Sequence, residues 1–153
     1  MREDLLRPHE YAAERVGFII CGVGKVEPSG FVILAHSYCS VADEDYVDDP
    51  TVGAMMGPGA IRKAMQLAYT NKVAMFHVHL HDHVGHPKPS STDRRETAKF
   101  VPDFWNVRPE MPHGAVILSR DWLSGRCWYP GRSEPIEIAD VTVVGARLVW
   151  IRR

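Results

Sequence analysis

The sequence predicts an α/β (α+β) domain: a mixed, mostly antiparallel β-sheet flanked by two main helices. Three observations carry that expectation. Short apolar runs bounded by glycine or a polar residue recur along the chain, as in Gly17-Phe18-Ile19-Ile20-Cys21-Gly22 and Gly114-Ala115-Val116-Ile117-Leu118-Ser119. Beyond a short lead, helix signals open at two places only, Gly57-Pro58 and Ser90-Ser91-Thr92-Asp93. At 153 residues the chain has the size of one domain, taken as 1–153, and can bury a core without disulfides.

Residues 5–16 read as a short helical lead broken early by Pro8. Val16 to Gly24 is an apolar run that predicts a central strand. A turn at Pro28-Ser29-Gly30 joins it to Gly30-Phe31-Val32-Ile33-Leu34-Ala35-His36 as an antiparallel hairpin. The acidic stretch from Val41 to Pro50, with Asp43, Glu44, Asp45, Asp48 and Asp49, reads as a solvated loop. Pro58 suits a first helical turn, and Ile61, Met65 and Ala68 share one face of a helix over 58–70 that Asn71-Lys72 ends. Lys72 to Phe76 starts a buried strand, and a helix begins at Ser90. Three prolines between Val101 and Pro112 predict an irregular connection, followed by strands at 114–119, 126–129, 140–144 and 147–151.

Eighteen basic against nineteen acidic side chains leave a net charge of −1, which gives no reason to expect nucleic acid or an anionic membrane as partner. No stretch reaches the roughly 20 apolar residues of a membrane span. Cys21, Cys39 and Cys127 are odd in number and lack Cys-x-x-Cys spacing, and the opening Met1-Arg2-Glu3-Asp4 mixes charge signs. A reducing cytoplasm is therefore the expected location.

Five of the eight histidines fall at positions 77, 79, 81, 83 and 86, immediately ahead of Ser90-x-x-Asp93. Along a strand residues i and i+2 face the same side, so a His-x-His at a strand end directs two imidazoles at one point, as a first-row divalent ion requires. An affinity tag would be terminal; a metal-storage tract is the plainer alternative. Two further elements suggest catalysis. Glu14 stands three residues before Gly17 at the mouth of the first central strand, and Asp93 lies at a helix start. Two imidazoles and one carboxylate leave a fourth position for water, which separates catalytic from structural zinc. Zinc lowers the pKa of bound water to roughly 7. Glu14 is then the general base and Ser90 the donor to the oxyanion. Singly, each has a duller reading: Ser90-x-x-Asp93 is also a helix cap, and Glu14 also a solvated charge.

In that order, Glu14-x-x-Gly17, the strand-end histidines and Ser90-x-x-Asp93, the chain resembles the JAMM (MPN-type) zinc metalloproteases over nearly its whole length. Ala74-Met75-Phe76-His77 resembles the family's strand ending, and Gly85-His86-Pro87-Lys88-Pro89-Ser90 the loop of its small bacterial members. Here valine or leucine separates the histidines, and no proline follows the pair. The ligand pair is open between His77/His79 and His79/His81. Strand length favours the first, which would place His81 and His83 at the rim of the cleft; the shorter loop to Ser90 favours the second.

The resemblance implies an MPN/JAB-like, cytidine-deaminase-like architecture, Zn2+ as the cofactor, and hydrolysis after the C-terminal glycine of a ubiquitin-like protein. It further implies a bacterial conjugation pathway with E1-like or E2-like partners. Alternatives are trimming of a sulfur-carrier protein's tail, a non-catalytic MPN scaffold, or a metal-binding sensor.

Overall fold

A computed structural model describes residues 1–26, 30–144 and 149–152. The expected turn at Pro28-Ser29 and the start of the last strand at Arg147-Leu148 lie outside these residues. The fold is mixed α+β. A six-stranded sheet has the order β2-β1-β3-β4-β5-β6. Its members are β1 (Val16–Val26), β2 (Gly30–Ser40), β3 (Ala74–Leu80), β4 (His113–Leu118), β5 (Leu123–Trp128) and β6 (Ile136–Glu137). Only the β3–β4 neighbours are parallel, and their crossover contains α3 (Ser91–Phe100) and a 3₁₀ turn over Val101–Asn106. Strands β7 (Asp140–Val143) and β8 (Val149–Arg152) form a separate antiparallel pair.

β3 is buried along its whole length because both its faces are covered. Ala74, Phe76, Val78 and Leu80 join Cys21, Val116, Leu118 and Cys127 in one cluster. Met75 joins Val16, Phe18, Phe104 and the alanines of α2 (Pro58–Asn71) in the other. The buried stripe of α2 is Ala60, Ala64 and Ala68; the face read from periodicity holds at Ala68 and at Met65, which packs on the same cluster, while Ala60 and Ala64 take the place of Ile61. The hairpin β1–β2 outruns β3, whose pairing with β1 ends at Cys21 beside a bulge. Past that point Val23 and Ile33 pack on the first cluster, and Phe31 meets Tyr129 with ring centroids 4.9 Å apart.

The expected helical lead over 5–16 is corrected. A four-residue helix, α1 (Arg2–Leu5), ends before Pro8, and side chains satisfy the backbone that follows. His9 Nδ1 accepts from the Ala12 amide at 3.2 Å. Arg15 donates from Nε to the Arg7 carbonyl at 2.8 Å and from Nη2 to that of Pro8 at 3.0 Å. The acidic stretch is only partly a solvated loop. Asp43–Asp45 forms a 3₁₀ turn in which Asp43 pairs with the 2% exposed Arg15 at 2.7 Å and Asp45 with Lys63 at 2.6 Å.

His113, fully buried at the start of β4, accepts the Met75 amide at Nδ1 (3.1 Å), so its Nε2 proton goes to the Arg108 carbonyl (3.2 Å). Burial pushes this imidazole down to about 4 and His77 to about 3. An unfolded histidine titrates near about 6.5, so on acidification the unfolded chain takes up protons first. The stability of the neutral buried histidines is present above about 6.5 and is lost as pH falls toward their folded values. The urea midpoint of the metal-free protein should fall steadily from pH 7 to pH 5, at up to about 1.4 kcal/mol per pH unit for each group. His113→Gln should make the decline shallower. A midpoint that is flat across this range would show that neither histidine is coupled to folding.

Candidate metal centre

The end of β3 is where the polar groups gather. His79 is 2% exposed on the strand's penultimate residue, and the chain bends immediately after Leu80. The His81 amide reaches the Leu118 carbonyl at 2.9 Å, and the His83 amide turns back to the His81 carbonyl at 2.8 Å. That bend brings the His81 ring over His79, with the two Nε2 atoms 3.1 Å apart. Asp93 Oδ1 lies 3.3 Å from His79 Nε2, and its Oδ2 lies 3.5 Å from His81 Nε2.

Asp93 is delivered by the first turn of α3, where a reciprocal capping box forms. The Ser90 amide donates to Asp93 Oδ2 at 2.7 Å, and the Asp93 amide donates to Ser90 Oγ at 3.0 Å. Burial raises the Asp93 carboxyl, but hydrogen bonds from His79 and Ser90 outweigh it and hold the group well below the usual carboxylate range. Burial, and then the neighbouring His79, lower His81. Asp93 is thus ionised at neutral pH, and His81 is neutral, with a lone pair to give. Ser90 is exposed and caps the helix, with its hydroxyl proton still available to donate.

Glu14 approaches from the segment before β1. Ligand atoms of Glu14, His79 and His81 all lie within 4.8 Å of one another. Gly53 holds its backbone and leaves room for its carboxylate. The Glu14 amide donates to the Gly53 carbonyl at 3.0 Å, and a side chain on Gly53 would stand 3.2 Å from Glu14 Oε2. Behind it, Arg15 is locked to Asp43, and the Val16 amide donates to the Tyr46 hydroxyl at 2.8 Å. Gly17 has its own reason: the Tyr38 ring lies against its Cα, where no side chain would fit, and the Tyr38 hydroxyl donates to Asp4 at 2.7 Å.

The histidine pair that converges is His79/His81, so the preference for His77/His79 from strand length is corrected. β3 ends early enough for the bend to carry His81 inward, while His77 sits one step deeper, edge-on to Phe18 (5.9 Å) and Phe100 (5.2 Å). Held neutral by burial, His77 fills the apolar position beneath the centre. His83 is exposed beside His81, at 6.1 Å between rings, and His86 faces Trp122 at 6.0 Å. The loop between them is tied down by Asp82 to Arg120 and by the Gly85 amide to Asp121 Oδ1 (2.7 Å).

The donor set is of a kind that could hold a divalent metal ion. With metal–nitrogen distances of roughly 2.0–2.1 Å, two ligands of a tetrahedron are roughly 3.3 Å apart. Here the two Nε2 atoms are 3.1 Å apart, and each is near a different Asp93 oxygen, His79 Nε2 at 3.3 Å from Oδ1 and His81 Nε2 at 3.5 Å from Oδ2. A shared cation would be held by one nitrogen from each ring together with the carboxylate, in place of the 3.1 Å hydrogen bond between the two Nε2 atoms.

Sequence reasoning missed Gly53 and Arg15. Neither carries a motif, and each acts through a contact with a residue elsewhere in the fold. Compared with known proteins, the chain matches no family model and no curated protein.

Two outcomes are expected. His81→Ala should weaken zinc by more than the about 10–100-fold typical of changes to a ligand's outer partners, whereas His77→Phe should retain it. Zinc competition with a chelator measures both, and the reverse ranking restores the His77/His79 pair. Gly53→Ala should leave zinc content intact but displace the Glu14 carboxylate. A misplacement of this kind costs about a hundredfold in turnover.

Proposed function

We propose that this chain is a zinc metallo-(iso)peptidase of the JAMM type that cleaves after the C-terminal glycine of a ubiquitin-like protein. The observation that carries the proposal is the convergence of His79, His81 and Asp93, within 3.1–3.5 Å of one another, with the Glu14 carboxyl beside them. His79, His81 and Asp93 would hold the ion. Zinc bound there supplies an acidified water and polarises the scissile carbonyl. Glu14 takes the proton from the attacking water and returns it to the departing amine. Ser90 turns its hydroxyl toward the oxyanion while its backbone amide keeps Asp93 in place.

The order of these residues along the chain supports the family reading, as does a sheet carrying the histidines at the end of a central strand. MPN/JAB-like architecture is the finer form of that reading. A scaffold without catalysis would have no need of four converging ligand-type side chains, which weighs against the non-enzymatic alternatives. Free Cys21 and Cys127 inside the core agree with a cytoplasmic location, and among the described residues no helix is long and apolar enough to cross a membrane. E1-like and E2-like proteins of the same pathway are the further partners this reading implies.

The test is incubation with ubiquitin-like fusions, with and without a chelator. Cleavage that stops on chelation and resumes with added zinc is expected; chelator-resistant cleavage overturns the metal mechanism. Glu14→Gln should keep its zinc and lose at least about a hundredfold in turnover. Loss of metal in that variant would instead make Glu14 a ligand. Replacing the substrate's last glycine with valine should slow cleavage far more than changing the residue after the cut, because glycine allows close backbone approach. Equal sensitivity on both sides would point to a general peptidase.

A further inference from the structure

Asp93 rides on the first turn of a helix whose apolar anchor, Phe100, lies at the far end. α3 reads Ser-Thr-Asp-Arg-Arg-Glu-Thr-Ala-Lys-Phe, and Thr97 is its one buried residue. A small cavity lined by His79, Thr97, Ala115, Ile117 and Arg126 separates this part of the helix from the sheet. Side-chain packing therefore does not set the seat of α3 at Asp93, and a polar strut takes its place. Thr97, one turn beyond Asp93, donates its hydroxyl to the Asp93 carbonyl at 2.5 Å. The Thr97 hydroxyl oxygen in turn accepts from Arg126 Nη2 on β5 at 3.3 Å. The Arg126 guanidinium lies 5.3 Å over the ring of Trp128, which is 1% exposed and packs with Val101 and Ala115. Glu137 stands directly opposite Arg126 across the β5–β6 pair.

We propose that Arg126 and Thr97 are positioning residues for Asp93. The cation, stacked on a buried indole, fixes the Thr97 hydroxyl, and that hydroxyl fixes the turn of α3 that presents the carboxylate to His79 and His81. The proposal rests on the reading of Asp93 as a metal ligand. Arg126 acts without touching the ion. A planar guanidinium suits this role because it stacks and donates at once, which an ammonium group does less well.

The test uses the full chain and zinc alone as the probe. Thr97→Val removes the hydroxyl at nearly constant shape, and Arg126→Met keeps the stem while deleting the donor. Each should weaken zinc by about 10–100-fold in chelator competition. The double variant should lose no more than the worse single one, since both break one strut. Arg126→Lys should recover part of the loss. In the metal-free protein, amide hydrogen exchange in the first turn of α3 should quicken in both single variants while that of β3 stays unchanged. Should Arg126→Met loosen β3 as well, Thr97→Val decides. Unchanged exchange in α3, unchanged zinc affinity, or additive losses in the double variant would overturn the proposal. If the parent chain binds no zinc, the function proposed above fails on its own, and the metal-free exchange still decides whether the strut holds α3.

Discussion

A strand buried on both faces must still present polar ligands at one end, and the arrangement of this protein follows from how β3 meets that demand. All seven of its residues are buried, yet two are histidines. The first, His77, is kept neutral and walled by aromatic rings, so it behaves as core. The second, His79, has its Nε2 at the strand's open end. His81 joins it because the sheet hydrogen bonding stops there and the chain bends back. The neighbouring strand contributes another buried histidine, His113, whose two ring nitrogens serve the backbone of Met75 and Arg108. Neutral histidines thus do structural work one layer beneath the His79/His81 pair.

The two carboxylates reach the histidines by independent routes. Asp93 comes from a helix start and gains its orientation from the capping box with Ser90. Glu14 comes from irregular chain, where nothing local dictates its direction, and its neighbours supply the rigidity. Gly53 receives its amide, while Asp43 captures Arg15 on one side and Tyr46 binds the backbone of Val16 on the other. The acidic stretch after β2 is therefore part of the frame of the site. An ion pair between a buried guanidinium and a half-exposed carboxylate is weak evidence of net stability, but it is well suited to fixing one geometry.

Much of this protein was legible in its sequence wherever the signal was local. Apolar runs bounded by turn residues located the strands, Pro58 and Ser90 marked helix starts, and residue order singled out Glu14, Ser90 and Asp93. Period-based reasoning failed where a side chain from elsewhere competes for the backbone. Residues 6–15 do not form a helix because Arg15 and His9 satisfy the peptide groups that a helix would use. On α2, periodicity located Met65 and Ala68 but not Ala60 and Ala64, since alanine contributes little to an apolar count.

The sequence by itself determined that imidazoles and carboxylates would gather at the end of a buried strand, because alternation and capping are properties of neighbouring residues. Only the tertiary structure decided which histidines pair, since that depends on where β4 stops supporting β3 and lets the chain bend. It also decided what holds each carboxylate: Gly53 behind Glu14, and Thr97 with Arg126 behind Asp93. Such contacts join residues distant along the chain, and no local periodicity records them.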